Sequence, residues 1–293
     1  MPRRKAPRND DNLLVSQFGI VAMLLIYMIY VRIYPMIQHR NRKQAAKTSW
    51  GKHAGWYSGV VEEKGSYQKD VILPGVLKML GLKNSAAVLD IACGEGFFTR
   101  EFYKAGANAL GVDAGPELIE IAKKKSPKEV LYRVADAKSL SFLNDGAFDA
   151  ATIILALQNI DNIAPVLKEA HRILRKGGRM VVVLNHPVLR IPKLSAWGWD
   201  EGQRLQYRRL NGYMSELKLP IQMHPGDRPE DVTWSFHRPL QTYFKALNVA
   251  GFAIDDLEEW ASVKKSQPGP KAKAEDRARE EFPMFLAIRA VSL

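Results

Sequence analysis

Apolar positions fall into two regimes along the chain. From Asn12 to Val31 they run together: "NLLVSQFGIVAMLLIYMIYV" holds no charged residue. As a helix, a run of this length rises about 1.5 Å per residue and reaches about 30 Å, the thickness of a bilayer core. Tyr27, Tyr30 and Tyr34 gather near one end, where amphipathic rings favour the interface. A signal peptide has a shorter apolar core followed by small residues at its cleavage site; here Arg32, Tyr34 and Pro35 follow. Residues 12–35 therefore read as a transmembrane anchor, between a basic tail (1–11) and a basic juxtamembrane linker (36–53).

From about residue 54 the pattern changes to short apolar runs alternating with amphipathic stretches. "AAVLDIA" (86–92), "NALGVDA" (108–114), "VLYRVAD" (130–136), "FDAATIILAL" (148–157) and "RMVVVLN" (179–185) read as strands. "FFTREFYKAG" (97–106), "PELIEIAKKK" (116–125) and "IAPVLKEAHRILRKGG" (163–178) have helical spacing, the last stopped by two glycines. Alternating units of this kind predict an α/β fold: a parallel sheet with helices on both faces. "FAIDDLEEW" (252–260) and "FPMFLAIRAV" (282–291) add two strands after a helix over 237–252, for seven in all. Residues 264–279 read as a loop or short helix. Residues 186–236 break the rhythm and read as an inserted cap within a domain spanning 54–293.

Charge sharpens this division. The net charge is +12. Residues 1–53 hold ten Lys/Arg and two Asp, so eight of the twelve belong to the N-terminal segment. A near-neutral body argues against nucleic acid as a partner. The basic flank after the anchor favours a cytoplasmic domain by the positive-inside rule. One cysteine, Cys93, excludes an intramolecular disulfide. No His/Cys cluster has metal-ligand spacing, so no metal is expected.

The chemistry concentrates in "VLDIACGEGFFTREF" (88–102). The turn lacks the three glycines of a dinucleotide fingerprint and the Gly-Lys-Ser/Thr of a phosphate loop. Asp90 at the strand end repels pyrophosphate and suits an ammonium group. Gly94 and Gly96 allow close backbone approach. Asp113 ends the second strand, where a carboxylate accepts ribose hydroxyls. Asp136 and Ala137 end the third, where an acceptor takes an exocyclic amine. An amino-acid end, a ribose and an adenine describe S-adenosylmethionine.

With "GVDAG", "VADAKSLSF", "FDAATIILALQNIDN" and "ILRKGGRMVVVLNHP", the chain resembles the Rossmann-like, class I S-adenosylmethionine-dependent methyltransferases of methyltransferase type 11. The resemblance implies a Rossmann-like seven-stranded, mostly parallel sheet. It implies that Asp90, Ala92, Cys93, Gly94 and Gly96 hold the methionine moiety, that Asp113 and Ala114 hold the ribose, and that Asp136 and Ala137 hold the adenine. Ile154, Leu155 and Gln158 would border the sulfonium, and Tyr57 and Tyr67 would fold over the cofactor. Ala92 replaces the family's first glycine.

Methyl transfer needs alignment more than acid–base help. Where an acceptor must lose a proton, His186 and His237 are the candidate bases. Cys93 reads as a packing residue. The anchor suggests a small, lipophilic methyl acceptor, and "FDAATIILALQNIDN" is similar to the ubiquinone/menaquinone C-methyltransferases. A non-catalytic binding module and a protein or RNA methyltransferase are the alternatives.

Overall fold

A computed structural model describes residues 65–222 and 232–293. The expected anchor, tail and linker and Tyr57 lie outside these residues. Among the described residues no helix is long and apolar enough to cross a membrane.

The first described helix, α1 (Leu73–Leu80), follows a π-helical turn over Gln68–Ile72. Strands β1 (Ala87–Ile91), β2 (Asn108–Asp113) and β3 (Leu131–Val134) then alternate with α2 (Phe97–Lys104) and α3 (Pro116–Lys125). Next come β4 (Phe148–Ile154), α4 (Ala164–Ile173) and β5 (Leu174–Asn185). The inserted segment folds as two antiparallel hairpins. One pairs β6 (Ser195–Asp200) with β7 (Leu205–Leu210), and the other pairs β8 (Leu217–Gln222) with β9 (Val232–His237). Helix α5 (Leu240–Val249), β10 (Phe252–Trp260), α6 (Ala272–Glu281) and β11 (Phe285–Ser292) complete the chain.

Seven strands form one sheet in the order β10-β11-β5-β4-β1-β2-β3. The five neighbouring strands β5, β4, β1, β2 and β3 are parallel, and β11 runs antiparallel to both its neighbours. The order reverses beside β1, so the carboxyl ends of β1, β2 and β4 open at the switch point where such sheets bind ligands. Successive strand residues face opposite sides. Val88 and Leu89 are both fully buried, so both faces of the sheet are covered. On one face α1 and α2 supply Val76, Leu80, Phe98 and Phe102 to a cluster with Val88, Ala150, Val181 and Ala287.

One sequence expectation needs correction. The helix predicted to run to Gly178 ends at Ile173. Leu174 turns extended and pairs with Phe148, while the register shift before Ala150 loops residues 175–178 out of the ladder. The two glycines thus belong to an irregularity in β5 rather than to a helix stop. Helical spacing continues past Ile173 only because Leu174 is apolar, and its side chain is buried from the sheet instead. In the stretch 264–279, read as a loop or short helix, the residues from Ala272 onward fold as α6. Asp276 accepts the Ser266 backbone N–H and fastens this helix to the segment before it.

Gly75 in α1 meets the indole of Trp260, which would lie 2.2 Å from an added Cβ. Trp260 Nε1 donates to Glu258 Oε2 at 2.8 Å, so the ring is fixed. Replacing a helical glycine by alanine ordinarily stabilises by about 1 kcal/mol. Gly75→Ala is expected to destabilise instead, by about 1–3 kcal/mol from overpacking. Denaturant unfolding reads the sign, and a gain in stability would contradict this packing.

Candidate functional site

Asp90 is the central side chain. It sits second from the end of β1 and is 2% exposed. Its Oδ2 accepts from Thr99 Oγ1 of α2 at 2.6 Å, and its Oδ1 accepts from Thr152 Oγ1 of β4 at 2.9 Å. Both donors are neutral hydroxyls. Burial pushes its carboxyl up to about 6, the two hydroxyls pull the other way, and the nearby Asp113 charge adds to the rise. A buried carboxylate of this kind favours a cation beside it.

The turn after β1 takes a tight path. Ala92 (φ 57°), Gly94 (φ 58°) and Gly96 (φ 80°) all lie in the left-handed region. Alanine there costs about 1 kcal/mol relative to glycine. Gly96 is required twice over. It starts α2, and a Cβ on it would meet the Tyr132 hydroxyl at 2.5 Å. Tyr132 Oη accepts from Ser126 at 2.9 Å and donates to the Gly96 carbonyl at 3.3 Å. Burial pushes that phenol up to about 12, so it stays a donor.

Asp113 closes the turn from the β2 side. Oδ2 accepts the Gly94 N–H at 2.9 Å, and Oδ1 accepts the Gly115 N–H at 2.8 Å. Burial raises its pKa, against the pull of the Gly115, Gly94 and Ala114 backbone donors. Each oxygen keeps a further lone pair for a ligand hydroxyl. The Asp113 carbonyl also takes the Ala135 N–H at 2.8 Å, which aligns the end of β3 with that of β2. Asp136 accepts from the Lys138 N–H at 2.9 Å and shapes the turn holding Ala137.

Asp90, Ala92, Cys93, Gly94 and Ile154 line one cleft with Glu95, Phe97 and Phe98. Burial, then the Asp90 and Asp113 charges, push the Cys93 thiol well up and keep it protonated. Glu95, between the two glycines, is buried against Arg100 and Lys125 at 3.3 and 2.8 Å. The ion pairs tie the turn to α2 and α3.

Other expected site residues lie elsewhere. Leu155 holds φ 54° and its carbonyl accepts from Gln158 Nε2 at 2.9 Å, which folds the loop after β4 on itself. Gln158 Oε1 is buried without a partner among the described residues. Tyr67 packs edge-on against Phe285 and bonds Ser262 at 3.0 Å; it lines a second cleft. His186 Nδ1 accepts from the Val188 and Leu189 N–H groups, so its proton sits on Nε2, 2.6 Å from Glu259. Both of its ring nitrogens are engaged. His237 Nε2 donates to the Tyr213 carbonyl at 2.7 Å. Next to it, Arg238 donates to the carbonyls of Ile160 and Asp161, pinning the β8–β9 hairpin to the loop after β4.

Thr99, Thr152, Glu95, Phe97, Phe98 and Tyr132 were not expected in the site. Thr152 had a signal, as a polar residue inside the buried run of β4.

Comparison with known proteins agrees with this geometry. Residues 89–182 match the family model described as "Methyltransferase domain". The crystal structure of an S-adenosylmethionine-dependent methyltransferase from Mesorhizobium loti is similar, at TM-score 0.60 and 28% identity, covering 74% of this chain and 96% of that one. A demethylmenaquinone methyltransferase of Tropheryma whipplei (strain Twist) is 35% identical over 113 residues, 38% of this chain and 46% of its own length. A ubiquinone/menaquinone biosynthesis C-methyltransferase of Geobacter sp. (strain M21) is 33% identical over 115 residues, 36% of this chain and 48% of its own. The chain spans about half the length of these curated relatives.

Because the folded pKa of Asp90 is raised from 3.8 to about 6, its contribution to stability is present below pH 3.8 and is lost as pH rises through 6. The loss amounts to about 3 kcal/mol. Asp90→Asn is expected to stabilise the free protein at pH 8 while weakening S-adenosylmethionine. In the wild type, affinity for this cationic ligand should rise from pH 5 to 7, by up to about tenfold per unit below pH 6; in Asp90→Asn the rise should flatten. Calorimetry over that range checks both, and a pH-independent wild-type affinity would contradict the role of Asp90.

Proposed function

We propose that this chain, which is similar to the Rossmann-like S-adenosylmethionine-dependent methyltransferases, is an enzyme that methylates a small, lipophilic acceptor at a membrane surface. The observation that carries the reading is the pair of carboxylates at the ends of β1 and β2, Asp90 buried and Asp113 half-buried, beside the strained turn that opens the cleft.

The residues fit the cofactor. Asp90 suits an ammonium, and Asp113 has lone pairs for ribose hydroxyls. The turn of Ala92, Gly94 and Gly96 brings backbone close, and Ile154, Phe97 and Phe98 form an apolar wall. S-adenosylmethionine, when bound, supplies an electrophilic methyl on a sulfonium sulfur. The chain aligns an acceptor with that methyl and excludes water, a proximity effect worth several kcal/mol. Of the two candidate bases, His237 is the one whose Nδ1 is not engaged by a described donor; an acceptor that already presents a lone pair needs neither.

The lipophilic acceptor is supported by the apolar run at 12–31 and by the quinone methyltransferase names of the two curated relatives. The same run, with its basic flank, supports a domain on the cytoplasmic face.

Two measurements test the reading. Radiolabelled methyl from S-adenosylmethionine, incubated with the protein and membrane extract, should appear in a solvent-extractable small molecule. Label found only in protein would overturn the small acceptor, and cofactor binding with no transfer to any extract would favour a binding module. Separately, the full chain should sediment with membranes and a chain lacking residues 1–53 should not. Equal sedimentation of both would remove the anchor from the account.

A further inference from the structure

The structure holds a second cleft. Its walls are the segment after β5 (Leu189, Arg190), the β6–β7 hairpin (Trp197, Arg208), Tyr67, and the end of α6 with the residues before β11 (Arg279, Phe282). Phe285 pairs with Asn185 at the carboxyl end of β5, and Ile154 pairs with Val183 one strand over. Tyr67 and Met284 of this cleft share one apolar cluster with Ile154, Phe97 and Phe98 of the first. One apolar cluster thus reaches both clefts near the carboxyl ends of β4 and β5.

Three guanidiniums line this cleft, and their hydrogen bonds all go to neutral groups. Arg190 Nη1 donates to Asn185 Oδ1 at 2.8 Å. Arg208 donates to the Leu189 carbonyl at 2.7 Å and to Ser195 Oγ at 2.9 Å. Arg279 Nε reaches Ser266 Oγ at 3.3 Å. Asp276 feels the Arg279 charge but is engaged by the Ser266 backbone. Among the described residues none of the three forms an ion pair. Burial, and then the Arg208 charge, weaken the charged form of Arg190. Like charges gathered in a partly buried cleft are unfavourable unless an anion joins them. Flat surfaces flank them: Arg208 lies 5.0 Å over the Trp197 ring, and Trp197 packs edge-on to Phe282 at 5.6 Å.

We propose that this cleft is the acceptor site and that it selects an acceptor carrying an oxyanion, a carboxylate or phosphate, on a planar unsaturated ring. The proposal rests on the methyltransferase reading and deepens it, naming the chemistry the acceptor presents. Guanidinium forks match the oxygens of such a group, and the rings of Trp197, Phe282 and Tyr67 suit the planar body. Anion capture here would leave the rest of the acceptor to extend along the apolar cluster that also holds Ile154.

Titration of the full-length protein with benzoate, phenyl phosphate, benzyl alcohol and inorganic phosphate tests this. At least one of the two aromatic anions should bind about tenfold more tightly than either benzyl alcohol or inorganic phosphate, a difference of about 1.4 kcal/mol. Preference between benzoate and phenyl phosphate identifies the oxyanion. Arg190→Gln and Arg279→Gln should each weaken the anion at least about fivefold and leave S-adenosylmethionine affinity unchanged. Should Arg190→Gln fail to fold, Arg279→Gln carries the test, since its one side-chain bond is to Ser266. Equal binding of benzyl alcohol and the anions, or anion binding that survives in the folded variants, would overturn the inference. Anion-selective binding in protein that does not bind S-adenosylmethionine would contradict the methyltransferase reading and leave the anion site standing; cofactor binding without anion selectivity would do the reverse.

Discussion

A carboxylate buried between two hydroxyls organises this molecule. Asp90 sits near the end of the central strand, and Thr99 and Thr152 hold it from the helix that follows and the strand beside it. Hydroxyl donors fix its position without neutralising it. Burial therefore makes its charge costly in the free protein, and that cost is recovered when a cation arrives. The fold carries a local disadvantage at the place where a cationic ligand would remove it.

The surroundings make that carboxylate usable. The left-handed turn from Ala92 to Gly96 puts backbone where side chains would block. Tyr132 braces the turn from β3, leaving no room for a Cβ on Gly96 or Gly111. Asp113 ties the turn to β2 through the Gly94 N–H. The geometry is pre-set by strand ends, so a ligand meets a formed site rather than shaping one. Strain recurs at Leu155, next in sequence to Ile154 of the cleft, where φ is 54°. Strained residues near a cleft are a common mark of function.

Much of this was legible in the sequence. Asp90, Asp113 and Asp136 stood out because each closes an apolar run, and strand order places such ends together in parallel sheets. The sheet itself was legible for the same reason. What escaped depends on contacts far apart in the chain. Thr99 and Thr152 gain meaning only when α2 and β4 flank β1. Tyr132 reads as an ordinary strand residue until it meets Gly96. The irregularity at 175–178 arises from pairing with Phe148, which helical spacing cannot reveal. Arg190, Arg208 and Arg279 lie on three separate segments and look like surface charges until the fold brings them to one cleft. His186 looked free to act as a base, yet its two nitrogens are occupied by groups on its own loop and on β10.

The central claim is that Asp90 is a poised carboxylate whose charge the ligand stabilises. Carbon-13 NMR of the labelled aspartate carboxyl, followed through pH with and without S-adenosylmethionine, measures this directly. The account predicts that Asp90 titrates near 6 in the free protein and that its pKa falls by about one unit or more on binding. A titration at the ordinary carboxylate value in the free protein, or one that the ligand leaves in place, would contradict it.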